Sequence, residues 1–370
     1  MRILHTGLMK QIIPYSEKLT TLRFGRVFRN TVATYKYFWL ISIMQIHAKR
    51  SGLRISVWEI IIRMVANAWY PIHYFRLSFG KSDSLFKIVM ELQRLLDIPV
   101  DTKLESVVDI LRSQMANYAV KSNLRILFQH VPYRFLRPWI NTGDNQEMVE
   151  RSQKFENNCL YSLHLESDGF FIELNSKWDD YLHDHYNIIM DFAYWNLAHF
   201  LQVRNPNVPS IPSKIVRAEN RSSLKKQHDF WNIVIELGGP IHCIYTGRNI
   251  LSDEYDLDHF MPWSFVSHDL LWNLVPSDKN INSSKNNKIP DMECYLPKMA
   301  EIQHHAVQTL VGAGKNLKLM EDYLTIGHTA KELADMDKEH FLEVMVSVYH
   351  PISQIALNMG FEQWNYESPM

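Results

Sequence analysis

Apolar positions follow a helical period through most of the first two hundred residues. Between Asp83 and Leu96 an apolar residue recurs every three or four positions, which places five large side chains on one face: Leu85, Ile88, Val89, Leu92 and Leu95. That spacing predicts an amphipathic helix. Two capping boxes, Ser56-Val-Trp-Glu59 and Thr102-Lys-Leu-Glu105, predict further helix starts, and Pro71 is expected to end the first of these helices.

The helical spacing of apolar residues is interrupted once, by a predicted β-hairpin, and then resumes. Apolar stretches on both sides of Ser167-Asp168-Gly169 predict a β-hairpin near residues 159–174. Asn175 or Ser176 is expected to cap a long helix that runs to about Arg204. After Pro290 four more helices are predicted, over residues 296–311, 315–326, behind the capping box 329–332, and over 351–359.

A change in composition separates the two halves. Residues 205–212 read Asn-Pro-Asn-Val-Pro-Ser-Ile-Pro, which predicts an extended connector. The densest basic stretch follows, with Lys214, Arg217, Arg221, Lys225 and Lys226. We therefore expect a helical N-terminal domain over 1–204, a Pro-rich and then basic connector over 205–226, a module over 227–292, and a C-terminal helical region over 293–370.

Composition narrows the class of protein. A chain of 370 residues with 46% hydrophobic content can bury two or three compact units. Three cysteines argue against a disulfide scaffold and favour the cytoplasm. Residues 1–19 lack the apolar run of a signal peptide, and residues 37–46 and 60–68 are too short or too interrupted to span a membrane. The formal net charge of −1 means that any nucleic-acid-binding surface must be local.

The candidate chemistry lies between Asp258 and Lys288. Asp258-His259-Phe-Met-Pro262 is followed by Asn273 fourteen positions after the histidine and by Asn282 nine positions later, and Lys285 comes three positions after Asn282. A neutral imidazole, a carboxylate and an amide oxygen are the groups that a metal-assisted hydrolysis needs. An Asp-His pair alone carries little weight, because Asp184-His185 is a second such pair in this chain.

The order and spacing of these residues resemble the HNH, or ββα-metal, nuclease motif, including the HNH domains of RNA-guided CRISPR nucleases. The resemblance covers residues 241–290. It implies a mainly α protein with a small α+β ββα-metal module inserted toward the C-terminal half, here residues 227–292. It also implies a metal-dependent endonuclease that acts on double-stranded DNA in bacterial restriction or anti-phage defence.

The resemblance assigns a role to each residue. His259 would be the general base, Asp258 and Asn282 would be the oxygen ligands of the metal, and Asn273 would tie the loop that orients the base. The family often has a histidine where Asn282 stands, which leaves the metal open. Two oxygen ligands favour Mg²⁺ or Mn²⁺, whereas a second imidazole would suit Zn²⁺ or Ni²⁺.

Many HNH modules also hold a structural zinc between two cysteine pairs. Here Cys243-Ile-Tyr-Thr246 has a threonine at the second cysteine position, and the other cysteines are Cys159 and Cys294. Four thiolates cannot be assembled from three cysteines, so we expect no structural zinc. The strands of the module are expected around residues 241–245 and 255–257.

Six basic residues are candidate nucleic-acid contacts: Lys279, Lys285 and Lys288 near the motif, and Arg221, Lys225 and Lys226 before it. The basic stretch before the module has a second interpretation, an ordinary solvated helix face. The predicted helical domain, residues 1–204, has no recognised function, which leaves two further hypotheses open. The chain could be a partner- or ligand-regulated effector nuclease that senses or oligomerises through that domain, or a catalytically inactive nucleic-acid-binding relative.

Overall fold

A computed structural model describes residues 13–49, 52–167, 169–216, 223–252, 254–315 and 317–366. Most of these residues are helical, and the few strands form small sheets. The predicted fold class, mainly α with a small α+β module toward the C-terminal half, is confirmed. The chain divides into two compact units, with residues 1–206 and 211–217 in unit 1 and residues 207–210 and 218–370 in unit 2.

Unit 1 is a helical assembly with one three-stranded antiparallel sheet in the order β1-β3-β2. Its strands are β1 (Arg54–Ser56), β2 (Tyr161–Glu166) and β3 (Gly169–Leu174). Its helices are α1 (Thr21–Phe24), α2 (Tyr35–His47), α3 (Val57–His73), α4 (Ser84–Leu96), α5 (Leu104–Ser113), α6 (Tyr118–Arg125), α7 (Val131–Phe135), α8 (Asn145–Gln153), α9 (Ser176–Asp184), α10 (Tyr186–Arg204) and α11 (Ile211–Ile215), with 3₁₀ turns at Ile126–Gln129 and Glu156–Asn158.

Unit 2 combines short strand pairs with longer helices. Its strands are β4 (Ile241–His242), β5 (Asn249–Ile250), β6 (Asp256–His259), β7 (Leu274–Ser277), β8 (Ile289–Pro290) and β9 (Gln363–Trp364), paired β4-β5, β6-β7 and β8-β9. Its helices are α12 (Lys225–Gly238), α13 (Trp263–Val266), α14 (Lys279–Lys285), α15 (Met292–Gly312), α16 (Ala330–Asp335) and α17 (Lys338–Asn358), with 3₁₀ turns at Leu271–Asn273 and Lys318–Ile326.

Several predicted helix boundaries in unit 1 are wrong. Ser56 is the N-cap of α3, as predicted, but its side chain makes no capping hydrogen bond. Helix α5 takes Lys103 as its N-cap instead of Thr102. Helix α3 continues through Pro71 to His73, because the last turn is buried and its packing outweighs the one lost backbone hydrogen bond. The long helix expected to end near Arg204 is divided at His185, whose backbone is not helical.

Three further expectations need correction. The connector is not extended throughout, since α11 starts at Ile211 and Pro212 fits its first turn. Lys214 in that helix is fully buried, and burial lowers its pKa to about 7, so it is not a surface cation. Near the C-terminus Pro351 lies inside α17 rather than at the start of a helix. The capping box at Thr329 and Glu332 is formed as predicted.

The core of unit 2 runs without interruption from α12 to β9. Side chains of the strands, such as Ile241 and Leu257, pack in the same buried cluster as Met299 of α15 and Tyr349 of α17. The C-terminal helices therefore support the strand pair β6-β7 directly. The tyrosine hydroxyl of Tyr349 donates a hydrogen bond of 2.6 Å to the backbone carbonyl of Trp272, immediately before β7.

Candidate active site

Strands β6 and β7 and helix α14 form a ββα arrangement. The strands are antiparallel, with Asp258 opposite Val275 and His259 opposite Leu274. Helix α14 begins after Asp278, whose carboxylate accepts a hydrogen bond from the backbone N–H of Asn280. The expected first strand, near residues 241–245, pairs with β5 instead of β6, because the turn at Thr246-Gly247 closes a separate hairpin. The two strands next to the site are thus β6 and β7.

Alternation along β6 separates the side chains of Asp258 and His259. Successive residues of a strand face opposite sides. The side chain of Asp258 is buried at 3% exposure, whereas that of His259 keeps 14%. The carboxylate thus faces the interior of the unit, and the imidazole lies at the edge where a substrate can reach it.

Asp258 is held by two buried residues. The phenol of Tyr245 donates to its Oδ2 at 2.6 Å, and the ammonium of Lys285 donates to its Oδ1 at 3.0 Å. Burial raises the pKa of Tyr245 well above its usual value, so this phenol stays protonated and remains a donor. The Lys285 ammonium also donates to the backbone carbonyl of His259 at 2.7 Å. These contacts fix the backbone and the carboxylate at the end of β6.

Lys285 therefore does not have the surface position expected of a nucleic-acid contact. Its side chain has no exposure, and its ammonium forms an ion pair with Asp258. An ammonium that is enclosed in this way cannot reach a phosphate without leaving its buried partner. In this structure Lys285 joins α14 to β6.

Asn273 joins the two strands on the other side of His259. Its amide Nδ2 donates to the carbonyl of Met261 at 2.9 Å, and its Oδ1 accepts from the N–H of Met261 at 2.8 Å. The side chain is fully buried, so both bonds are shielded from water. This two-point contact fixes the chain two residues after His259, which is where the resemblance placed the loop-tying role.

Asn282 lies on helix α14, which packs against strand β6. Its amide Nδ2 is 3.5 Å from the carbonyl of Leu257, at the limit of a hydrogen bond. Among the residues that the structure describes, none donates a hydrogen bond to its Oδ1. That oxygen remains available as an acceptor or a metal ligand next to the Asp258 segment.

The donor set is compatible with a hard divalent cation. Each carboxylate oxygen has two lone pairs, so each oxygen of Asp258 keeps one after accepting from Tyr245 or Lys285. The Oδ1 of Asn282 is a second oxygen acceptor close to the same strand. Within the described ranges no cluster of three or more His, Cys, Asp or Glu side chains could hold a metal. Oxygen donors of this kind are the ligands that hard divalent cations such as Mg²⁺ and Mn²⁺ generally prefer.

The structure brings two residues to the site that the motif did not indicate. The Oδ1 of Asp269 is 2.8 Å from the Nε2 of His259, and Tyr245 contacts Asp258 as described above. An acidic residue in a loop and a tyrosine in a hairpin turn are common in any sequence. Only their distance from the motif residues in the fold gives them significance.

The remaining predicted nucleic-acid contacts are distributed around this site. Lys279 is exposed at the start of α14, and Lys225 and Lys226 are exposed at the start of α12. Lys288 is partly exposed, with its Nζ 3.6 Å from a carboxylate oxygen of Glu362. Arg221 lies outside the described residues.

The first turn of helix α12, which carries Lys225 and Lys226, approaches the loop that carries Asp269. The Nε2 of Gln227 donates to the backbone carbonyl of Asp269 at 3.1 Å, and the carboxylate of Asp269 contacts His259. Lys226 is the residue before Gln227. The two exposed lysines at the start of α12 are therefore close to the loop that carries Asp269.

Comparison with known proteins agrees with this geometry. Residues 243–291 match a family model described as HNH endonuclease. The chain thus contains an HNH endonuclease domain, and this domain implies nuclease activity on a nucleic acid. Searches of curated proteins and of solved structures found no significant match. Among the described residues, no helix is long and apolar enough to cross a lipid bilayer.

Proposed function

We propose that this chain is a metal-dependent endonuclease that hydrolyses phosphodiester bonds of DNA, with His259 as general base. The observation that carries the proposal is the arrangement at the end of β6. There a partly exposed imidazole follows a buried carboxylate along the strand, and the amide of Asn282 approaches the same strand, all within the segment that matches the HNH family. These groups supply the base and the oxygen ligands that phosphodiester hydrolysis needs.

His259 acts on the attacking water. Within the described residues no hydrogen bond reaches its Nδ1, so this nitrogen can accept the proton as the water oxygen attacks phosphorus. The bond from phosphorus to the leaving oxygen breaks at the same centre. Asp258 and Asn282 would hold the divalent cation, which when bound stabilises charge on the phosphate and the leaving oxygen. Asn273 and Lys285 keep the backbone on both sides of His259 in place.

The direct test is plasmid cleavage with Mg²⁺, Mn²⁺ or EDTA. Cleavage with either cation and none with EDTA supports the proposal. Matched double-stranded DNA, single-stranded DNA and RNA of one sequence then identify the substrate. Cleavage of RNA alone would replace DNA as the substrate, and the absence of cleavage with every cation and substrate would favour an inactive binding relative.

The two proposed metal ligands should differ from Asn273 in their effect on metal affinity. We expect Asp258→Asn and Asn282→Ala each to weaken Mn²⁺ binding at least about 10-fold, because each change weakens or removes an oxygen ligand of a sparsely coordinated ion. Asn273→Ala should lower cleavage and leave Mn²⁺ affinity nearly unchanged. Calorimetric Mn²⁺ titration measures all three.

Asn280→Ala is the control for Asn282, since Asn280 is exposed on the same helix. Asp258→Asn is preferred to alanine because the amide oxygen can still accept the hydrogen bond from Lys285. Equal losses of affinity in Asn273→Ala and Asn282→Ala would contradict the division of roles.

The lysines at the start of α12 should bind the phosphate backbone. Reversal of Lys225 and Lys226 to glutamate is expected to weaken DNA binding equally for all sequences, because phosphate contacts are sequence-independent. Loss of two phosphate contacts should reduce the slope of log affinity against log salt by roughly 2. Fluorescence anisotropy over a range of NaCl concentrations, in EDTA to prevent cleavage, measures this slope.

The matched control reverses Lys315 and Lys331, which are exposed in the same unit and give the same change in net charge. If the two double variants lose affinity to the same extent, the effect is one of net charge, and the start of α12 is an ordinary solvated face. Attention would then move to Lys279 and Lys288 on and after α14.

A role in bacterial restriction or anti-phage defence belongs to the proposal only through the family resemblance. Its test is the plating efficiency of phage on cells that express the chain, compared with cells that express His259→Ala. Equal plating on both strains would remove this part of the proposal and leave the nuclease activity to be judged by the cleavage assay.

A further inference from the structure

The imidazole of His259 has a carboxylate partner. Its Nε2 is 2.8 Å from the Oδ1 of Asp269, and the two side chains keep only 14% and 24% of their exposure. A carboxylate accepts hydrogen bonds and does not donate them, so the hydrogen between these atoms belongs to Nε2. In a neutral imidazole the Nδ1 then carries the lone pair. This is the nitrogen that the proposed reaction uses as base.

The loop that carries Asp269 is fixed at several points. The amide of Gln227 donates to the carbonyl of Asp269 at 3.1 Å, and the carboxylate of Asp322 accepts from the N–H of Leu271 at 2.9 Å. The indole of Trp272 donates to the hydroxyl of Thr325 at 2.8 Å. These contacts come from α12 on one side and from the 3₁₀ turn Lys318–Ile326 on the other. The position of the Asp269 carboxylate is therefore set before any substrate arrives.

We propose that Asp269 is a positioning residue of the nuclease site, which selects the Nε2–H tautomer of His259 and holds its ring so that Nδ1 faces the attacking water. The inference rests on the proposed function, because it gives Asp269 a role through the base. It differs from a purely structural His–Asp contact, which would add stability and leave the choice of tautomer without consequence for the reaction.

The decisive variant is Asp269→Asn. An amide of the same shape can donate its N–H to Nε2, which would place the imidazole proton on Nδ1 and remove the lone pair that accepts the proton of water. We expect kcat to fall at least about 100-fold, the lower end of what a general base contributes. KM and Mn²⁺ affinity should stay within about two-fold of wild type, since no ligand and no phosphate contact is changed.

Asp335→Asn is the control, because it makes the same substitution at an exposed position of the same unit. It should leave kcat, KM and unfolding unchanged. Asp269→Glu adds a second test: its longer side chain keeps the charge and the acceptor but displaces them. Partial recovery of kcat relative to Asp269→Asn is expected if an acceptor at Nε2 is what matters.

¹⁵N NMR of the histidine ring nitrogens identifies the tautomer of His259, and this measurement does not depend on nuclease activity. The full-length protein is labelled with ¹⁵N-histidine, and the His259 signals are assigned by their loss in His259→Gln. At a pH where the imidazole is neutral, wild type should show a protonated Nε2 and an unprotonated Nδ1. In Asp269→Asn this pattern should be reversed or become a mixture.

The two readouts separate this inference from the proposed function. A protein that shows the Nε2–H pattern, loses it in Asp269→Asn, and yet cleaves no nucleic acid would refute the nuclease and keep the positioning contact. A protein that cleaves DNA while Asp269→Asn retains kcat within about three-fold of wild type would overturn the positioning role. An unchanged ring-nitrogen pattern in Asp269→Asn would also overturn it.

Discussion

His259→Ala is expected to abolish DNA cleavage while leaving the fold and the DNA affinity nearly unchanged. The imidazole is the one proposed proton acceptor at the site, and such a base contributes about 10²–10⁴ in rate. Its side chain keeps 14% exposure and pairs with Asp269 rather than packing in the hydrophobic core, so its truncation should leave that core intact. Plasmid cleavage in Mg²⁺ and Mn²⁺ measures the loss, and anisotropy in EDTA measures the affinity.

His242→Ala is the matched control, because His242 is an exposed histidine on β4 of the same unit. It should cleave at the wild-type rate. A His259→Ala protein that cleaves within a few-fold of wild type would remove His259 as the base. If His259→Ala loses DNA affinity and His242→Ala does not, the imidazole of His259 mainly binds substrate.

The second large effect is expected from Lys285→Met. This change removes the ammonium from a fully buried ion pair and leaves the Asp258 carboxylate buried without its cationic partner. Breaking one partner of a buried pair costs about 3–5 kcal/mol of unfolding free energy. Because the chain has two compact units, the loss should be measured locally, by hydrogen exchange of β6 and β7 across a urea series.

Two comparisons make this result specific. Lys279→Met changes an exposed lysine of the same helix and should alter the unfolding free energy by no more than about 0.5 kcal/mol. Lys285→Met combined with Asp258→Asn should recover much of the lost stability, since no uncompensated charge remains. A loss below about 1 kcal/mol in the single variant would indicate that Lys285 is solvated, and its role as a phosphate contact would then be open again.

The sequence was most informative where chemistry requires particular side chains in a particular order. The resemblance of residues 241–290 to the HNH motif implied a ββα module. The structure has the strand expected at 255–257 as β6, but β6 pairs with β7 rather than with the strand expected at 241–245. Outside this module, the helices were predicted from the spacing of apolar residues and from capping residues such as Thr329. Helix ends were less predictable, because local signals such as Thr102 and Pro71 compete with packing of the whole unit.

The partners of the motif residues depended on tertiary structure alone. In the sequence, Lys285 cannot be distinguished from a lysine that binds phosphate. Only the packing of α14 against β6 shows that its ammonium is buried against Asp258. Tyr245 and Asp269 are thirteen and ten residues from their partners, in a separate hairpin and a loop. Nothing in the local sequence specifies those distances.

The chemical groups of the site and the resemblance to an HNH module could be predicted from sequence, because they depend on residue type and on order along one short segment. The tertiary structure decided which of those groups are exposed and which are fixed. Burial, ion pairing and the direction of a hydrogen bond depend on atoms that the fold brings from α12, β4–β5 and α17. Residue order alone cannot encode such contacts, because they form only when the core of the whole unit is assembled.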